Sequence, residues 1–168
     1  MSSRGSVADS IFVIVICFAM AFGAVIGLTI FNSFSNEALK MPAFNTSIGQ
    51  NVSAKVTSGF SALDYAFPLL FIGANIAAVF LSFMIRAHPI FLIFALLMLA
   101  FAIVLAAVFS NTYYELASSA ALQNASNSLT LTGFVMNNLV LLQMIFAFID
   151  MIVLYSGFGS QGQQGGYA

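Results

Sequence analysis

The chain has 168 residues, 61% of them hydrophobic and 5% charged, with a formal net charge of −1. A soluble domain carries about 25% charged residues because its surface faces water, so a water-soluble single domain is excluded; disorder is excluded too, since apolar residues dominate and net charge is small. One histidine, one cysteine and four basic residues exclude an intrachain disulfide, a four-ligand zinc site, a bis-histidine haem, an iron–sulfur cluster and a nucleic-acid footprint.

What remains is an all-α integral membrane protein with four transmembrane helices, since about 20 mostly apolar residues cross about 30 Å of hydrocarbon. Residues 1–10 form a polar N-terminus in which Asp9 and Ser10 are candidate N-caps. The first span is 11–31, free of charge, and longer than the apolar core of a cleaved signal, so a retained helix is expected. Ala19, Gly23 and Gly27 recur every fourth residue in it, which puts three small side chains on one face for close helix packing. Cys17 lies mid-span and reads as a small apolar residue.

A polar loop over 32–65 leads to the second span, 66–85, with Pro68 in its first turn, Gly73 and Ala77 as a second small pair, and Asn75 as its polar residue. Residues 86–89, Arg-Ala-His-Pro, make a tight turn that forces an antiparallel hairpin with the third span, 90–109. That span has no polar side chain and offers Ala102 with Ala106 for packing. His88 reads as a solvated turn residue without a second ligand nearby.

A second polar loop, 110–130, with a short surface helix expected over 114–122, precedes the fourth span at 131–155. This is the span that carries several polar residues: Asn137, Asn138, Gln143 and Asp150. At 100° per residue Gln143 and Asp150 lie about 20° apart on one face, while the asparagines point elsewhere. An Asp at a span centre costs about 3 kcal/mol and each Leu, Ile, Phe or Val returns about 0.3–0.6 kcal/mol, so the segment still inserts. Asp150 lies on the same side as Arg86 in any four-span arrangement, which makes the Arg86–Asp150 ion pair the expected structural role for the acid. The amides read as hydrogen-bonding glue between helices. A flexible Gly/Gln-rich tail occupies 156–168.

The expected architecture is an up-down-up-down antiparallel bundle. Lys and Arg divide two against two across the membrane, but Arg86 abuts a span, which favours both termini on the cytoplasmic side. The triplets at Asn45, Asn51 and Asn124 fit the glycosylation pattern and fall in the two loops that this orientation puts outside. No catalytic constellation, cofactor site or metal site is present in the pattern. The function expected is non-enzymatic: a structural or assembly protein of a membrane, such as a component of a viral lipid membrane or of a larger membrane complex. Its partners would be the bilayer, other membrane proteins or further copies of itself. The alternative is a small pore, holin-like protein or transporter that uses the polar face of the fourth span.

Overall fold

The computed structural model describes residues 5–84 and 89–159. Among them the chain is helical throughout: α1 (Gly5–Ala38), α2 (Ser47–Met84), α3 (Pro89–Ala117), α4 (Gln123–Ser128), α5 (Thr130–Asn137) and α6 (Leu139–Gly159). Four of these helices are long and apolar enough to cross a membrane, over Ile11–Ala38, Ser47–Ser82, Ile93–Ala117 and Leu139–Ser156. The Arg86–His88 turn, and with it the expected Arg86–Asp150 pair, lies outside the described residues, as does the tail beyond Gly159.

The helices outrun the apolar windows. The segment 32–65, expected to be a loop, is mostly helix: α1 continues to Ala38 and α2 starts at Ser47. The physical reason is that extending an existing helix costs far less than starting one, and residues without apolar content still propagate it. Thr57, Ser58 and Ser61 donate back to carbonyls four residues earlier, so their hydroxyls are satisfied without leaving the helix. The residual turn is short. Thr46 accepts from the Gly49 backbone N–H at 3.3 Å, the geometry of an N-cap for α2. A Cβ at Gly49 would stand 2.1 Å from the Phe44 carbonyl oxygen, so the turn closes only over glycine.

The same correction applies to 110–130. Helix α3 runs on to Ala117, and the short helix falls at Gln123–Ser128 rather than over 114–122. The fourth apolar segment is not one helix from 131 to 155. It breaks at Asn138, between α5 and α6, where the backbone turns to φ −106°, ψ 14°. The Asn138 side-chain nitrogen donates to the Phe134 carbonyl at 2.8 Å, sharing that acceptor with the Asn138 backbone N–H at 3.1 Å.

The core is built from small residues and rings. On α1 the buried positions are Ile14, Cys17, Ala21, Ala24, Val25 and Leu28, which follow the helical period with Ala24 and Val25 side by side and so form one stripe. Ala102 and Ala106 of α3 are fully buried with them, which permits close helix approach. Phe18 stacks on Phe109 with ring centres 4.5 Å apart, tying α1 to α3. Beyond the core, α1 and α2 pair along their polar ends. The Gly27 face meets the Phe60 ring, and Ser35 and Ser53 share a 2.6 Å hydrogen bond.

Candidate functional site, a polar seam along helix α2

Five polar side chains are buried along the seam between α2 and the α5–α6 segment: Asp64, Asn75 and Ser82 on one side, Gln143 and Asp150 on the other. Thr132 of α5 joins them. They fall at three levels with a single register. Asp64 meets Thr132 and Ser82 meets Asp150, each pair 68 positions apart in the chain. Asn75 and Gln143 share that separation, as do the buried apolar residues Phe67 with Val135 and Phe71 with Leu139. A constant offset over this length means that α2 and the α5–α6 segment run in the same direction along a straight seam.

The first level is a helix cap made by a distant residue. The Asp64 carboxylate accepts from the backbone N–H of Thr132 at 2.7 Å and of Leu131 at 3.1 Å. These are the first N–H groups of α5, which have no partner within their own helix and carry the positive end of its dipole. Leu129, the residue preceding α5, offers no side-chain cap, so α2 supplies it. Burial of a carboxylate is costly unless hydrogen bonds and charge compensate it. Here two backbone donors and a helix terminus do so, while the ion pair found among the described residues, Lys40–Glu37, sits on the surface. Pro68, four residues on, has no N–H to offer the Asp64 carbonyl, so α2 is locally loosened at this level. Two hydroxyls close by have no partner among the described residues: Thr132 Oγ1 and the buried Tyr113 OH, which lies 4.0 Å from where a Cβ of Gly133 would be.

At the middle level Asn75 donates to the Phe71 carbonyl one turn back, at 2.9 Å. Gln143 is 0% exposed, and neither its amide nitrogen nor its oxygen has a partner among the described residues. At the third level Ser82 Oγ lies 3.1 Å from Asp150 Oδ1 and 3.1 Å from the Ala78 carbonyl. A hydroxyl has one proton, so it alternates between these two acceptors or divides it. Asp150, 3% exposed, is thus inside the bundle rather than out in solvent.

The remaining residues singled out by the sequence divide into inward and outward sets. Ala102 and Ala106 are core, and Gly27 packs on Phe60. Ala19, Gly23, Gly73 and Ala77 face outward, with nothing within 4 Å of an added Cβ at either glycine. Asn137 faces an open groove of about 440 Å³ shared with Ser110, Asn111 and Tyr114, whereas Asn138 is used at the helix break.

Asp64, Ser82 and Thr132 are seam residues that the sequence reading passed over. Asp64 was grouped with the loop, yet the spacing 64, 67, 71, 75, 78 and 82 is one continuous buried face. Extending the helical period backwards from Asn75 past Pro68 would have found it. No group of three or more metal-ligating side chains occurs among the described residues. No known protein family, curated protein sequence or solved structure is significantly similar to the chain.

Proposed function

We propose that this chain is a non-enzymatic structural or assembly component of a membrane, spanning it four times in up-down-up-down order with both termini on the cytoplasmic side. The observation that carries the reading is the layering of the seam. Its three polar levels are separated by buried apolar layers, Phe67, Phe71, Val135 and Leu139 between the first and second, Ala78 and Ala147 between the second and third. Ions and polar solutes need a continuous chain of polar groups or water, and these layers interrupt it. Polar groups spaced in this way instead fix the register of one helix against another.

The dimensions support the placement. From Asp64 to Ser82 helix α2 rises about 27 Å, close to the roughly 30 Å of hydrocarbon. The two carboxylates then frame the apolar slab, one near each edge, where their burial is cheapest. Helix α3, which carries no polar side chain over 90–109, supplies bulk facing lipid.

Gln143 is the observation that favours the alternative, a small pore or transporter, since an unpartnered buried amide is a place for water or an ion. Proteoliposomes containing the purified chain decide between the two. Dye and ion flux equal to that of empty vesicles, with inserted and folded protein, is the expected result. Flux that falls on Gln143→Leu or Asp150→Asn would replace the structural reading with the pore.

A further inference from the structure

Helix α2 has a second apolar face, opposite the buried one. From Val52 to Phe80 the exposed residues recur with the alternating 4-3 spacing of a heptad: Val56, Leu63, Leu70 and Ala77 at one core position. Val52, Gly59, Ala66, Gly73 and Phe80 occupy the other. All nine are at least a third exposed, although Val52 also borders the groove between α1 and α2 near Phe34 and Ala38; none is charged, and an added Cβ at Gly59 or Gly73 meets nothing within 4 Å. The buried residues Asp64, Phe67, Phe71, Asn75, Ala78 and Ser82 fall on the remaining heptad positions, so the two faces stand back to back. A heptad sustained over four repeats is the pattern of a coiled coil.

Lipid explains only part of this face. With Asp64 near the edge of the hydrocarbon, the stretch from Val52 to Leu63 projects about 17 Å beyond it. There the residues off the stripe include the polar Asn51, Lys55, Thr57, Ser58 and Ser61, beside Ala54 and Ala62. An apolar stripe continuing through water on a helix whose other side already packs on α1 calls for a helical partner.

We infer that this face is a parallel homodimer seam, in which α2 pairs with α2 of a second copy of the chain. The inference deepens the assembly reading by naming the partner, and it rests on that reading for the position of the membrane. Three features select a second copy. Copies inserted by the same topology present α2 in the same direction and at the same depth, so the stripe meets itself in register. In that register small layers (Gly59, Ala66, Gly73) alternate with large ones (Val56, Leu63, Leu70), which lets the backbones approach while the large side chains interdigitate. The seam is uncharged, and Lys55, flanking it, faces Phe60 of the other helix rather than another lysine in heptad geometry. The extent is adequate. Two strips about 43 Å long and about 10 Å wide cover about 900 Å² in plan, and more in accessible area, which approaches the roughly 1,000 Å² of a specific contact.

The test uses the full chain with Cys17→Ala, carrying Gly59→Cys, Gly73→Cys or Ile72→Cys, reconstituted in phosphatidylcholine vesicles and oxidised. Facing core positions of a parallel pair bring their Cα atoms into the range of a disulfide, about 4.4–6.8 Å. Cross-linked dimer at Gly59→Cys and Gly73→Cys, several times its yield at Ile72→Cys on the far side of α2, is expected. The double variant Gly59→Leu, Gly73→Leu, at two positions where an added Cβ meets nothing within 4 Å, should dissociate the dimer while leaving helicity unchanged. Monomer in the vesicles, or equal yields at all three positions, overturns the seam, whether lipid or another protein then covers the face. Either of those results with ion-tight vesicles leaves the structural reading standing; leaky vesicles overturn that reading separately.

Discussion

The two buried carboxylates stand at opposite ends of one seam, Asp64 tying α2 to α5 and Asp150 tying α6 to α2, and they do so by different means. Asp64 takes two backbone donors at 2.7 and 3.1 Å from a helix N-terminus, so its charge is met by fixed groups and an aligned dipole. Asp150 is met by the Ser82 hydroxyl, whose single proton also serves the Ala78 carbonyl. The first contact fixes both the start of α5 and its position against α2. The second fixes position alone. A carboxylate that caps a distant helix does two structural jobs, so its loss should be felt in α5 as well as in the seam, whereas loss of Asp150, bonded among the described residues to one hydroxyl, should be felt in the seam alone.

The comparison can be broken at its stronger end first. Asp64→Ala leaves the buried Thr132 N–H and the half-buried Leu131 N–H without an acceptor, and loss of a cap alone costs about 0.5–2 kcal/mol, with about 1–3 kcal/mol for a buried polar group left unsatisfied. Denaturation of the chain in detergent should show destabilisation within that range, accompanied by faster amide exchange across 130–137. Unchanged exchange there would mean that α5 holds its first turn without α2. At the other end, Ser82→Ala leaves the buried Asp150 carboxylate without that hydroxyl and is also expected to cost about 1–3 kcal/mol, but with exchange in α5 unaltered. Faster exchange across 130–137 in Ser82→Ala, equal to that in Asp64→Ala, would erase the distinction between the ends.

The apolar windows at 11–31, 66–85 and 90–109 were readable because long apolar runs announce themselves by hydrophobicity alone, and the seven-residue spacing of Gln143 and Asp150 placed both on one face, which proves to be buried. What the windows missed has a common cause. Hydrophobicity marks where a helix meets lipid, not where it ends, so α1 to Ala38 and α2 from Ser47 were hidden in segments that looked like loop. The break at Asn138 sits in a stretch apolar enough to read as continuous helix. The role of Asp64 was illegible for a different reason: its partners are 67 and 68 positions away, and no local pattern records a cap supplied by another helix. The small residues teach the same lesson, since Gly23 and Gly27 are one motif in sequence but only Gly27 has a neighbour within the chain close enough for an added Cβ to touch.

The central claim is that the polar levels lock α2 and the α5–α6 segment in one parallel register. Paired cysteines in a Cys17→Ala background measure that directly. Asn75→Cys combined with Gln143→Cys should form a disulfide readily in vesicles, while Asn75→Cys with a cysteine at Leu139 or Ala147 should not. Equal yields across the three pairs, or a maximum one turn away from Gln143, would contradict the account.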